Sequence, residues 1–321
     1  MNVFRSATLL YLLATLLSGP AEAQEFPTRP VTLVVPNAAG GSMDILARLF
    51  STHLEALWKQ PVLVVYKPGA NTVVGTDFVA KSSPDGHTIG LVVTSHLINP
   101  SIRPNLPFDT VKDLAGVTMT AISHLVIEAT PSLPVKTLSD LIAYSKKNPG
   151  KLTYATAGSG SSMHLAGELL KTQTGLDMMH IPYKGAGPAY PDVMSGRVDL
   201  MIDTLFSSIP LLDTGRLRPI AITSSRRAQS WPDIPTAAET VPDFAVLSIN
   251  GIVVPKATPR AIVHKLHADF STILTLSELQ TRMAELGLEV VTMTPDAFDD
   301  YIRSQIAKWA EVVRVSGAKA E

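Results

Sequence analysis

The sequence predicts an α/β protein built in two parts around one cleft, and three observations carry that prediction. From residue 30 onward, short β-branched runs alternate with helical patterns, as in sheets covered by helices. A strand that passes through a glycine-rich loop into a helix occurs twice, about 120 residues apart. Two strand patterns lie almost end to end at 116–122 and 124–130, as expected where a chain crosses from one part to the other.

The first strand–loop–helix unit is Val31-Thr32-Leu33-Val34-Val35-Pro36-Asn37-Ala38-Ala39-Gly40-Gly41-Ser42-Met43-Asp44. A valine-rich run suits a strand buried on both faces, and glycines permit the tight turn that follows. Ile45, Leu46, Leu49, Phe50, Leu54 and Leu57 then recur at helical spacing. The first turn of such a helix presents unpaired N–H groups and the positive end of its dipole, a ready cradle for an anion. An ordinary strand-to-helix turn fits the same stretch.

The later elements follow in order. A strand is expected at 61–66, a turn at Lys67-Pro68-Gly69-Ala70-Asn71 and a short helix at 72–81. Pro84-Asp85-Gly86-His87 turns the chain into a strand at 88–94. Residues 95–107 are expected to be irregular, because Asn99-Pro100 and Pro104 oppose regular structure. A helix at 137–148 ends at Asn148-Pro149-Gly150. The second unit comprises strand 152–156, the loop Ala157-Gly158-Ser159-Gly160-Ser161-Ser162 and a helix from Met163. Beyond it lie a strand at 178–181, the loop Pro182-Tyr183-Lys184-Gly185, and a strand at 198–203 that ends in Asp203. A strand at 245–254 could return the chain to the first part, and Thr294-Pro295 supplies the N-cap and first residue of a last helix.

Composition narrows the function. With 321 residues, 45% of them hydrophobic, the chain can bury sizeable cores, and a net charge of -1 with no long basic run argues against nucleic acid. Residues 1–23 read as a cleavable signal peptide: a basic start, an apolar run at 7–17, a Ser18-Gly19-Pro20 break and Ala21-Glu22-Ala23 before the cut. That run is too short to span about 30 Å of hydrocarbon. Without cysteine, thiolate nucleophiles, disulfides and Cys-based metal sites are excluded. His264 and His267 have metal-ligand spacing but no third ligand nearby, so no metal and no cofactor is expected. As an enzyme the chain lacks the parts: no G-x-S-x-G elbow, no phosphate loop ending in Gly-Lys, and Met163 where the dinucleotide pattern needs glycine.

Taken together, these motifs resemble those of the receptor proteins of the tripartite tricarboxylate transporter family, the Bug receptors. The likeness spans the mature chain: the first unit, Pro68-Gly69-Ala70, Pro84-Asp85-Gly86-His87-Thr88, Tyr154 to Leu165, Ile181-Pro182-Tyr183-Lys184-Gly185, Asp203, Ala221-Ile222-Thr223-Ser224, Pro232-Asp233-Ile234-Pro235-Thr236 and Ile306-Ala307-Lys308-Trp309. It implies a two-lobed periplasmic-binding-protein-like α/β fold of type II with a double crossover. Lobe one would hold 24–122 and 245–321, and lobe two 123–244. The resemblance also implies a small organic acid (dicarboxylate, tricarboxylate or aromatic carboxylate) held between the lobes, and delivery to inner-membrane permease subunits by a monomeric periplasmic receptor. A sensor that presents its solute to a receptor kinase, and an exported enzyme, are the competing classes.

The candidate ligand-binding residues are Asn37, Ala38, Ala39, Gly40, Gly41, Ser42 and Asp44 in the first unit, and Ala157, Ser159, Gly160, Ser161, Ser162 and His164 in the second, with Tyr183, Lys184 and Asp203. Two helix ends contribute at most about 2 kcal/mol each. Micromolar binding needs about 8 kcal/mol, so hydroxyls and water exclusion must supply the rest. Asp44 reads either as a selector against a second negative charge or as a dipole partner of its own helix. Asp203 reads as a cleft residue or a helix cap, and His164 as a ligand contact or a satisfied core histidine. Three departures from the family pattern lie near the pocket: Ser248-Ile249-Asn250-Gly251 in place of an aromatic pair before the glycine, Ser42-Met43 in the first loop, and Thr204 after Asp203.

Overall fold

The computed structural model describes residues 26–39, 42–183, 185–229 and 231–319, without the side chain of Ser42. The segment expected to be a signal peptide lies outside the described residues, as do Gly40, Gly41 and Lys184. The first expected unit is present as β1 (Val31–Val35) and α1 (Ser42–Trp58), followed by β2 (Val62–Tyr66), α2 (Val73–Ala80) and β3 (Thr88–Val93). β1 is buried on both faces, and Leu33 pairs with Val64 and with Ile89 in parallel ladders. Leu46, Phe50 and Leu54 of α1 fill the space beneath that sheet.

The segment expected to be irregular forms a helix, α3 (Ser95–Ile102), with Pro100 inside it. Proline costs an interior helix position about 3 kcal/mol. Here it costs only the bond to one carbonyl near the end of a short helix, while Leu97, Ile98 and Ile102 become buried, each contributing about 1.5–3 kcal/mol. The two strands expected end to end are one strand, β4 (Leu114–Ala129), buried along nearly its whole length. Register shifts against β9 (Leu247–Pro255) occur between Gly116 and Thr118 and between Met119 and Ala121, as bulges that bend and twist a long strand do.

β4 joins the two lobes. Up to His124 it pairs with β9, and from Leu125 onward it pairs with β7 (Leu200–Thr204) and β8 (Arg218–Ile222). The return crossing lies beside the outward one: Thr223 N–H donates to Leu125 O at 2.9 Å and Val246 N–H donates to Thr223 O at 2.8 Å. Lobe two repeats the first pattern with α4 (Leu138–Lys147), β5 (Leu152–Thr156), α5 (Ser162–Thr174), β6 (Met178–Pro182), α6 (Tyr190–Met194) and α7 (Leu205–Asp213). The full sheet order is β2-β1-β3-β9-β4-β7-β5-β6, with β8 and the short β10 (Leu288–Val290) also on β4. After α8 (Arg260–Leu274) and α9 (Ser277–Glu285), the last helix, α10 (Pro295–Ser316), packs against both α3 and α5 and so touches both lobes. Thr294 caps it as expected, accepting from Ala297 N–H.

Candidate functional site

Where the lobes face each other lies a cavity of about 470 Å³, within the range of small-molecule sites. From lobe one it is lined by Asn37 at the end of β1, Met43 and Ile45 in the first turn of α1, Asn71 and Thr72, Thr94 and Ser95 at the start of α3, and Asn250 of β9. From lobe two come Ala157, Ser161, Ser162 and Met163 at the start of α5, and Thr204, Phe206 and Ser207 at the start of α7. The first turns of α1 and α5 thus both border the space. Among the described lining residues, none carries a charged side chain. Ile45 and Phe206 keep 45% and 37% of their surface exposed, so the cavity also offers bare apolar wall.

The residues expected at the site divide into three groups. Asn37, Ala157, Ser161 and Ser162 line the cavity. Ser161 spends its hydroxyl on its own loop, donating to Gly158 O at 2.7 Å while accepting from His164 N–H as the α5 N-cap. Ser162 makes only a weak contact with Met163 Sδ at 3.6 Å, which leaves its hydroxyl the better placed to meet a ligand. Ala38, Ala39, Ser159 and Gly160 lie outside the lining, although they belong to the loops that border it.

A second group points into the lobes. Asp44 is buried, accepting from Arg48 Nε at 2.7 Å and from Tyr66 OH at 2.5 Å. His164 is buried too, stacks on His180 at 4.0 Å between centroids, and accepts the Gly160 N–H through Nδ1 at 3.1 Å. Burial first, then the neighbouring His164, lowers the His180 pKa to about 3. Tyr183 donates to Asp192 Oδ2 at 2.7 Å, and burial followed by that bond raises its pKa. Asp203 accepts from Tyr190 OH at 2.7 Å within the core of lobe two, and burial pushes its pKa to about 6. Glu128 faces the same core with Ser208 Oγ donating to Oε1 at 3.1 Å and Oε2 unpartnered. Burial, then Asp203, holds its pKa well above the ordinary value. Gly40, Gly41, the Ser42 side chain and Lys184 form the third group, outside the described residues.

Sequence reasoning missed Asn71, Thr72, Ser95, Phe206 and the Leu286 and Leu288 wall. The signal for Asn71 was the turn Pro68-Gly69-Ala70-Asn71, read only as a connection. Its backbone is unusual: Gly69, Ala70, Asn71 and Thr72 have φ of 137, 46, 52 and 75°. Three consecutive non-glycine residues in the left-handed region store about 1–3 kcal/mol each, strain that clusters at functional sites. Local bonds hold it, with Asn99 Nδ2 donating to Asn71 O at 2.9 Å and Thr72 Oγ1 sharing a hydrogen bond with Ser95 Oγ at 2.9 Å. In the departure at 249–250, Ile249 is fully buried while Asn250 lines the cavity. A polar amide therefore stands at the cleft.

Two contacts among the described residues span the rim of the cavity itself. Asn71 Nδ2 donates to Gly160 O at 3.2 Å. Across the cavity, Gly287 is so close to Phe206 that an added Cβ would sit 2.4 Å from Phe206 Cβ.

Two lobes joined by two crossings, with a cavity of hydroxyl, amide and apolar side chains between paired helix starts, have the architecture of the periplasmic-binding type. Comparison with known proteins makes the class specific. The chain matches the tripartite tricarboxylate transporter family receptor over residues 46–317, and it belongs to that family. Protein BugT of Bordetella pertussis is 34% identical over 324 residues, 99% of each chain. The R. palustris protein Rpa4515, solved with adipate, is 33% identical with a TM-score of 0.81, covering 92% of this chain and 100% of that one. MatC from Rhodopseudomonas palustris, with bound malate, is 32% identical with a TM-score of 0.76, over 90% and 100% of the two chains.

Proposed function

We propose that this protein is a periplasmic receptor that captures a small organic carboxylate between its lobes, delivers it to a tripartite tricarboxylate-type permease, and catalyses nothing. One observation carries the reading. The described lining joins hydroxyls and amides from both lobes to the first turns of α1 and α5, with no carboxylate that would repel an acid. Backbone N–H groups and helix dipoles favour an anion at such a place. The acid's oxygens would meet Asn37, Ser162 and the two helix starts, and its carbon skeleton would lie along Ile45, Phe206, Leu286 and Leu288. Relatives solved with adipate and with malate are consistent with a linear diacid. Lobe one would comprise 24–122 and 245–321 and lobe two 123–244, a division supported by the change of partner along β4 after His124.

The test is a thermal-shift screen of the mature protein against organic acids, sugars and nucleotides, followed by calorimetric titration of the strongest hit. A solute at 100 times its dissociation constant stabilises the folded state by about 2.7 kcal/mol. Linear dicarboxylates of four to six carbons should raise the melting temperature, and sugars and nucleotides should not. A response confined to phosphorylated compounds would overturn the assignment.

A further inference from the structure

We propose that Asn71 is a latch between the lobes, a positioning residue that sets the balance between open and closed receptor before any ligand arrives. The inference rests on the two-lobed receptor reading but concerns a contact that no ligand mediates. Asn71 stands in lobe one, on a turn whose four consecutive residues, Gly69 to Thr72, all have positive φ. Its side-chain amide crosses the cleft to the Gly160 carbonyl at 3.2 Å, in the glycine loop of lobe two.

The structure fixes both ends of that bond. On the lobe-one side, Asn99 Nδ2 donates to the Asn71 carbonyl, and Asn71 Nδ2 also reaches Asn99 Oδ1 at 3.4 Å. Thr72 is tied to Ser95, and the helix that begins at Val73 lies tight on the end of β1. An added Cβ at Gly75 would meet Pro36 Cα at 2.7 Å. On the lobe-two side, the Gly160 N–H is held by His164 Nδ1 and the next residue is the N-cap of α5. The Gly160 peptide is thus anchored through its nitrogen and read through its oxygen. A turn that served only to connect β2 to α2 would gain nothing from left-handed Ala70 and Thr72, residue types that resist that region. The same turn gains a purpose if the strained backbone aims one amide across the cleft. A hydrogen bond made only when the lobes are together favours the closed form by its own differential energy, with or without solute.

The chain contains no cysteine, so a pair of spin labels can be placed cleanly at Ala56→Cys on α1 and Ala143→Cys on α4, both exposed. The interlobe distance is then measured by pulsed electron paramagnetic resonance in ligand-free protein. The otherwise unaltered chain should show a short-distance population. Asn71→Gly, which suits the positive φ and removes the amide, should reduce that population at least threefold. Asn71→Asp keeps the shape, replaces the donor by an acceptor facing a carbonyl, and should do the same. Circular dichroism and melting curves check that both variants fold, and glycine adopts the positive φ without steric strain. Distance distributions in both variants that superimpose on the parent would overturn the latch, as would a parent with no short-distance population. Because no acid is present, a receptor that binds none of the screened acids yet opens in both variants would defeat the proposed function and leave the latch standing.

Discussion

The two strand–loop–helix units begin alike and diverge at one residue. Each helix opens Ser-Met, at Ser42-Met43 and Ser162-Met163, and both methionines line the cavity. The third residue of each turns inward instead. In the first unit it is Asp44, bonded to Arg48 and Tyr66. In the second it is His164, stacked on His180 and holding the Gly160 N–H. The position that reads, from sequence, either as a ligand contact or as a structural residue is in both cases hydrogen-bonded within its own lobe, as a peg would be. The lobes differ also in how they treat buried acids. In lobe one, Asp44 pairs with Arg48 and Asp269 with Lys265. In lobe two, Glu168 likewise pairs with Lys171, whereas Glu128 and Asp203 share a core with Tyr190 and Ser208 as their hydrogen-bond donors.

If the two units face one solute, blocking either should be equally damaging. Asn37→Trp and Ala157→Trp put a large ring into the cavity from the two strand ends. Each should weaken acid binding at least about a thousandfold, about 4 kcal/mol, measured by titration with the strongest acid from the screen. Near-normal affinity in either variant would break the symmetry. Acids buried without a cationic partner predict a pH effect in lobe two. With the Asp203 pKa raised to about 6, the folded state holds a proton that the unfolded state releases near pH 4. Stability from this group is therefore present below about pH 4 and lost as pH rises through 6. A shift of about two pKa units corresponds to about 3 kcal/mol. Asp203→Asn should be more stable than the parent at pH 8 by up to that amount in urea melts, and the gap should narrow toward pH 4. A gap that does not change with pH would mean that Asp203 ionises normally in the fold.

Much of this was legible in the sequence because it depends on local chemistry. The Val31 run, the Thr294-Pro295 start and the two glycine loops each encode their structure within a few residues. Asn37, Ala157, Ser161 and Ser162 line the cavity because a strand end that feeds a helix start has one outward side. What sequence could not show was long-range. Whether Asp203 faces cleft or core depends on its β4 neighbour Val126, nearly eighty residues earlier. Asn71 becomes visible only when Gly160 is across from it. The helix at Ser95 defied its proline because Leu97, Ile98 and Ile102 had a core to enter, and periodicity over eight residues cannot reveal a core.

The smallest expected effects lie at the divergent third position, and they decide what Asp44 is for. His164→Leu removes the acceptor of the Gly160 N–H. One hydrogen bond contributes about 0.5–1.5 kcal/mol, so acid binding should weaken about 2- to 10-fold through a looser loop. Asp44→Asn keeps an oxygen for Tyr66 and removes the charge facing Arg48, a side chain largely open to solvent. Exposed ion pairs contribute little, so the affinity for a dicarboxylate should change less than about twofold in the same titration. The two readings of Asp44 then separate by ligand charge. A peg leaves the ratio of dicarboxylate to monocarboxylate affinity unchanged when its charge is removed. A selector does not: without the buried negative charge, the doubly charged acid should gain over the singly charged one, and a tenfold gain would return Asp44 to the binding site.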